Sequence, residues 1–221
     1  MPTLFEDLQR GLYVERASRA LMYLGGPEDR KALRGLIATE KDPEKKWVMG
    51  GFLAGALVEP TSREDWEYLR SCISGYKDES KNYASLSAAL ALGMNGSPQA
   101  LQILQAFLSH AHKSGFPNDT IETAEQAIRW SNEKTSSRPT STDQGSDSGQ
   151  IKQTILQHAF FTDSDSGNIS FDEISFAEDR TRALVSMEVP AKDGNPQGYD
   201  IVLRREGERW VIVGVWYTWA A

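Results

Sequence analysis

Along the first 133 positions, apolar residues recur three or four apart, the spacing of helix faces, in short separate stretches. Leu33, Leu36 and Ile37 make one stripe, Trp66, Leu69, Cys72 and Ile73 a second, and Leu101, Leu104, Phe107 and Leu108 a third. Start signals agree with the stripes. Gly26-Pro27, Asp42-Pro43 and Ser97-Pro98 each set a cap residue before Pro. Proline costs least at the first helical position, where its missing N–H has no intrahelical partner anyway. Thr3–Glu6 fits a capping box, and Ser62–Asp65 and Asp119–Glu122 supply further starts. The implied helices cover about 4–24, 27–39, 43–58, 62–74, 80–93, 98–113 and 120–133.

After residue 150 the period becomes alternating. Ile151–Phe161 reads as a short amphipathic helix, and 168–176, 182–190, 198–205 and 209–219 read as strands. Asp193-Gly194 and Glu206-Gly207 punctuate them as turns. In the last strand Trp210, Ile212, Gly214 and Trp216 alternate with Val211, Val213, Val215, Tyr217 and Trp219. Both faces are apolar, so both need cover: one from the local helix, the other from the helical part, a second copy or a ligand. Ser131–Gln150 holds no large apolar residue, and nothing in it offsets the entropy of ordering. The expected organisation is a helical domain over 1–133, a flexible linker over 134–150 and a small α+β domain over 151–221.

The helices of the first part come in pairs. The second member is rich in small residues: Gly50, Gly51, Ala54, Gly55 and Ala56 in one, Ala84, Ala88, Ala89 and Ala91 in the next. Glycine weakens an isolated helix, so its use here points to close helix–helix contact. One pair cannot bury its own apolar face, and stacked pairs share a core. The step from Pro27 to Arg63 matches that from Arg63 to Pro98, and Asp42 to Asp78 repeats it. The segment GGPEDRKALRGLIATEKDPEKKWVMGGFLAGAL resembles a HEAT repeat, with a first helix, an Asp-Pro-Glu turn and an Ala-rich second helix. A leading helix and roughly three repeats would cover 3–133. A tetratricopeptide array is the nearest rival, but its Trp/Gly/Tyr signature positions are not filled. The resemblance implies a multi-domain chain that opens with an all-α solenoid of helical hairpins acting as a scaffold. The second helices would line its concave face, which makes Lys46 and Trp47 candidate binding residues.

The carboxy-terminal helix and meander, ending GERWVIVGVWY, are similar to the nuclear-transport-factor-2-like α+β cone in a shortened form. That resemblance implies an antiparallel sheet curved around its helix, and it places His158 as the candidate general base of any pocket there. Trp216 and Trp219 of the final strand are the binding candidates on this side.

Charge narrows the partners. The net charge is −7, with 16 basic and 18 acidic residues in 1–134 and 7 against 11 in 151–221. Neither part has the basic excess that phosphate neutralisation requires, so nucleic acid is not expected. No apolar run approaches the ~20 residues that span a bilayer, and no membrane partner is expected. The start, MPTLFEDLQRG, carries no basic-then-apolar secretory pattern, and a lone Cys72 fits a reducing compartment; a cytoplasmic location is the expectation.

Chemistry is sparse. His110 and His112, two apart, fall on different helix faces and make no metal pair. Asp163–Glu173 resembles a calcium loop, but its Gly, apolar and Glu positions come one residue short throughout, and strand follows it. No nucleophile elbow, Walker loop or dinucleotide fingerprint is present. No metal or cofactor is expected. The favoured reading is a non-enzymatic protein–protein interaction or scaffold protein, with the carboxy-terminal domain as second contact or homodimer interface. The alternative is small-molecule binding or isomerase- or hydrolase-like chemistry in the cone. Neutralisation of a toxin by direct binding fits the same acidic chain.

Overall fold

The computed structural model describes residues 2–11, 14–74, 82–114, 118–133, 146–158, 169–190 and 196–220. In chain order come α1 (Pro2–Gln9), α2 (Val14–Leu24), α3 (Pro27–Thr39), α4 (Pro43–Gly55), α5 (Arg63–Ser74), α6 (Asn82–Asn95), α7 (Pro98–Ser114), α8 (Asn118–Glu133) and α9 (Asp147–Leu156). Four strands follow: β1 (Ser170–Phe176), β2 (Arg182–Pro190), β3 (Pro196–Glu206) and β4 (Arg209–Ala220). They form one antiparallel sheet in sequence order. A helical region followed by a small antiparallel sheet was the expected class of fold.

The caps work as their chemistry requires. Asp42 accepts from the N–H groups of Glu44 and Lys45, and the Gly26 N–H donates to Asp29 Oδ2 at 2.9 Å. Ser62 and Asp65 form a reciprocal pair: the Asp65 N–H donates to Ser62 Oγ at 3.1 Å and the Ser62 N–H to Asp65 Oδ2 at 3.2 Å. Asp65 is buried and also meets Arg34 of α3 at 2.5 Å, tying α5 to α3. Burial pushes its carboxyl up, but the Thr61 N–H and Arg34 outweigh that and hold it below its ordinary value.

The helices expected over 4–24 and 151–161 differ most from the structure. The helix expected over 4–24 is two, because Gly11 sits at φ +67, and its N–H closes on the Leu8 carbonyl at 3.0 Å. The first of the two begins at Pro2, ahead of the expected cap position at Thr3. The helix expected from Ile151 starts at Asp147, where Ser146 accepts from the Gly149 N–H at 3.4 Å. The last residues of the expected linker are thus helical.

Helices α2, α4, α6 and α8 lie side by side in one row, each packed on the helix that precedes it in the chain. Gly11 lies against Lys45, Met22 against Gly55, Gly50 against Ala84 and Gly51 against Ser87, offsets of 34, 33, 34 and 36 residues. A constant offset means that neighbouring members of the row run parallel. One buried cluster (Leu8, Ala17, Leu21, Leu33, Ile37, Met49 and Leu53) closes the amino-terminal end. The largest begins at Ala54 and Leu57, runs through α5–α8 and continues under the sheet.

The sheet meets this row mainly through β4, which touches α4 and α6 on one side and α9 on the other, while α2 reaches β2. Its faces do not follow simple alternation. The register shifts between Val202 and Leu203, leaving an extra residue in β4. Trp210, Ile212, Val215 and Tyr217 therefore join the largest cluster, whereas Val213 and Trp216 join another with Met22, Phe52, Ala56 and Val202. The inserted residue reverses the side chains that follow it as far as Tyr217, where a second shift, between Tyr199 and Gly198, intervenes.

Candidate functional site

The row helix α4 carries two glycines one turn apart, Gly51 and Gly55, on the side that receives β4. A Cβ on Gly51 would lie 2.4 Å from the Trp216 ring, and one on Gly55 would lie 2.1 Å from the Val215 carbonyl oxygen. The helix backbone thus approaches the strand as closely as glycine alone allows. Trp216 fills the resulting space, 5% exposed, stacked on Phe52 with ring centres 3.8 Å apart and planes 12° apart.

Around this anchor lie further aromatic rings from both parts of the chain. Tyr83 of α6 meets Trp47 of α4 edge-on at 4.4 Å, Trp216 at 5.3 Å and Tyr217 at 6.0 Å. Tyr217 continues to Tyr199 of β3 at 5.4 Å. The Tyr83 hydroxyl donates to the Thr218 carbonyl at 3.2 Å, and burial, then the nearby Glu15 charge, pushes that phenol up. Trp47, Tyr83 and Tyr217 remain half-buried, so the cluster reaches the surface. Each such pair contributes about 0.5–1.5 kcal/mol beyond the area it buries.

Next to the rings is a buried polar group. Asp200 of β3 is 2% exposed, its carboxylate accepts from the Ser186 hydroxyl at 2.7 Å, and Arg19 of α2 donates to Ser186 at 3.0 Å. Arg19 Nε stands 2.7 Å from Asp200 Oδ2, an ion-pair distance without hydrogen-bond angles. Burial dominates, and the Asp200 carboxyl is held above its ordinary value despite Ser186 and Arg19. A carboxyl raised in the fold stabilises it most when protonated. That contribution is complete below the unfolded value near 3.8 and is lost as pH rises through the folded value. Asp200→Asn, which mimics the protonated form, is therefore expected to match or exceed the parent in Tm at pH 7 and to converge with it in acid. Arg19→Ala strands the charge and is expected to cost about 1–3 kcal/mol at pH 7. Thermal unfolding of both variants between pH 3 and 7 checks the signs.

The structure brings two expected site residues together, Trp47 and Trp216, which share Tyr83. Trp216 is spent inside the chain, on Phe52 and Gly51, so the surface it was expected to offer is taken by α4. Lys46 is exposed beside Trp47. The Trp219 backbone pairs with Gly198, and its side chain lies outside the described residues, as do the Asp163–Asn168 part of the calcium-like loop and the His112 side chain. His158 follows α9 and is half-buried, its backbone N–H on the Ile155 carbonyl at 3.0 Å. The sheet face that α9 covers is lined by Ala183, Val185, Met187, Ile201 and Leu203 with Ile151 and Ile155, an apolar contact. Tyr83, Arg19 and Asp200 escaped the sequence reading. A lone acid inside the apolar run of β3 was the one available signal for Asp200. Among the described residues, no group of three or more His, Cys, Asp and Glu is placed to hold a metal, and no helix is long and apolar enough to cross a membrane. No protein-family model matches this chain, and neither a curated protein nor a solved structure matches it.

Proposed function

We propose that this chain is a non-enzymatic protein–protein interaction protein, a HEAT-like stack of helical hairpins carrying a shortened nuclear-transport-factor-2-like unit as its second contact. The parallel row with its repeat of 33–36 residues supports the stacked-hairpin reading. The observation that carries the function is the half-buried Trp47–Tyr83 pair, with Tyr217 behind it and Lys46 exposed beside it. Trp and Tyr held in place by their neighbours are the side chains that dominate binding energy at interfaces. The reading assigns the docking surface to the mouth of the helix–sheet seam, where both parts contribute.

Affinity capture from native lysate, with the parent chain beside Trp47→Ala and Tyr83→Phe, tests it. A retained protein should bind Trp47→Ala about 30-fold more weakly, the equivalent of a 2 kcal/mol hot spot. Tyr83→Phe, which keeps the ring, should retain binding. Thermal unfolding of the same samples separates lost contact from lost fold. Equal binding by Trp47→Ala and parent would remove this surface from the proposal.

A further inference from the structure

The contact between helices and sheet has the anatomy of an interface between two proteins. Two apolar clusters cross the seam: the largest core, which runs from α5–α8 under the sheet, and a smaller one built from Met22, Phe52 and Ala56 of the helices with Val202 and Trp216 of the sheet. Trp216 is an aromatic anchor in a glycine-floored recess, the arrangement found at interface hot spots. Polar links also cross the seam: the buried Asp200 with Arg19, and part-buried ones between Tyr23 and Arg182 through each other's carbonyls, Arg204 and Glu59 at 3.0 Å, and Tyr83 and Thr218. Apolar clusters accompanied by polar links are the usual make-up of such surfaces. Each side also has packing of its own, the amino-terminal cluster on one and α9 against the sheet on the other. The two are joined through residues 134–145, KTSSRPTSTDQG, which hold no large apolar residue.

We infer that the helical region is a receptor for the unit formed by residues 146–221, and that the partner it fits is that unit from a second copy of this chain. Exchange would reproduce every seam contact in an intertwined dimer. Monomer and dimer then differ by connection and not by surface. The proportion formed depends on concentration while the chain folds.

The test uses the full chain with a protease site placed within residues 136–141. It is unfolded in denaturant, refolded at micromolar and at near-millimolar concentration, and weighed by light scattering. The expected result is a dimer fraction that grows with refolding concentration and shares the monomer's circular dichroism. Cutting the inserted site should then drop that dimer to monomer mass, because each helix–sheet unit stays together while the links between copies are severed. A dimer that keeps its mass after complete cutting is a side-by-side pair and overturns the inference. So does a chain that remains monomeric at every refolding concentration. Cut material whose two fragments separate on dilution overturns the receptor assignment itself.

Discussion

Gly55→Ala is expected to be among the most damaging single substitutions in this chain, even though alanine is the better helix former. In an open helix the change gains about 1 kcal/mol. Here the new methyl would stand 2.1 Å from the Val215 carbonyl oxygen and 3.2 Å from its carbon. Both are backbone atoms of a strand paired to β3, so neither can turn aside as a flexible side chain does. Strand and helix must part, and Trp216, Phe52 and Val202 lose contact as they do. Overpacking of this kind costs about 1–3 kcal/mol and more where backbone must move, so a net loss of about 3 kcal/mol is expected. For a chain of this size that lowers Tm by roughly 6–12 °C. Gly35→Ala is the matched control: it lies in α3, exposed, with nothing within 4 Å of its would-be Cβ. It should raise stability by about 0.5–1 kcal/mol. Denaturant unfolding of both variants decides the matter. If Gly55→Ala also gained stability, the close approach of α4 to β4 would not exist.

The second large effect is expected at Trp216. Truncation to Ala removes a ring that is 5% exposed, stacks on Phe52 and supports Tyr83. Replacing such a side chain by Ala costs about 3–5 kcal/mol, part transfer and part cavity. The cavity would open at the floor of Gly51 and Gly55, where helix backbone cannot collapse far towards the strand. Trp216→Phe keeps an aromatic stack on Phe52 and should recover most of the loss. Near-ultraviolet circular dichroism reports whether Tyr83 and Trp47 lose their fixed setting with it. A change under 1 kcal/mol for Trp216→Ala would mean that the sheet docks by its other contacts.

Most helices were legible because their signals are local. Pro27, Pro43 and Pro98 open α3, α4 and α7 where a pre-set φ and a cap residue place them. The division of α1 from α2 was harder, since a lone glycine inside an apolar pattern is compatible with either a continuous or a broken helix. Its positive φ settles the break. In the sheet, alternation located β4 but assigned its faces wrongly beyond Val213. A bulge leaves no reliable trace in hydropathy when both faces are apolar, as they are here. The candidate site was legible only in fragments. Trp47 and Trp216 stood out as aromatic residues, but Tyr83, which joins them, lies 36 positions from one and 133 from the other.

What the sequence by itself determined is the local grammar: where helices and strands begin, that α4 is unusually thin at Gly51 and Gly55, and that both faces of the last strand need cover. Those follow from propensities, caps and periodicity, which act over a few residues. Only the tertiary structure decided what meets what. The thin side of α4 takes a strand as well as neighbouring helices, Trp216 faces inward, and Asp200 finds Arg19 from the far end of the chain. These pairings are set by shape and by the cost of burying a charge or leaving a cavity. Neither quantity exists until distant segments are brought together.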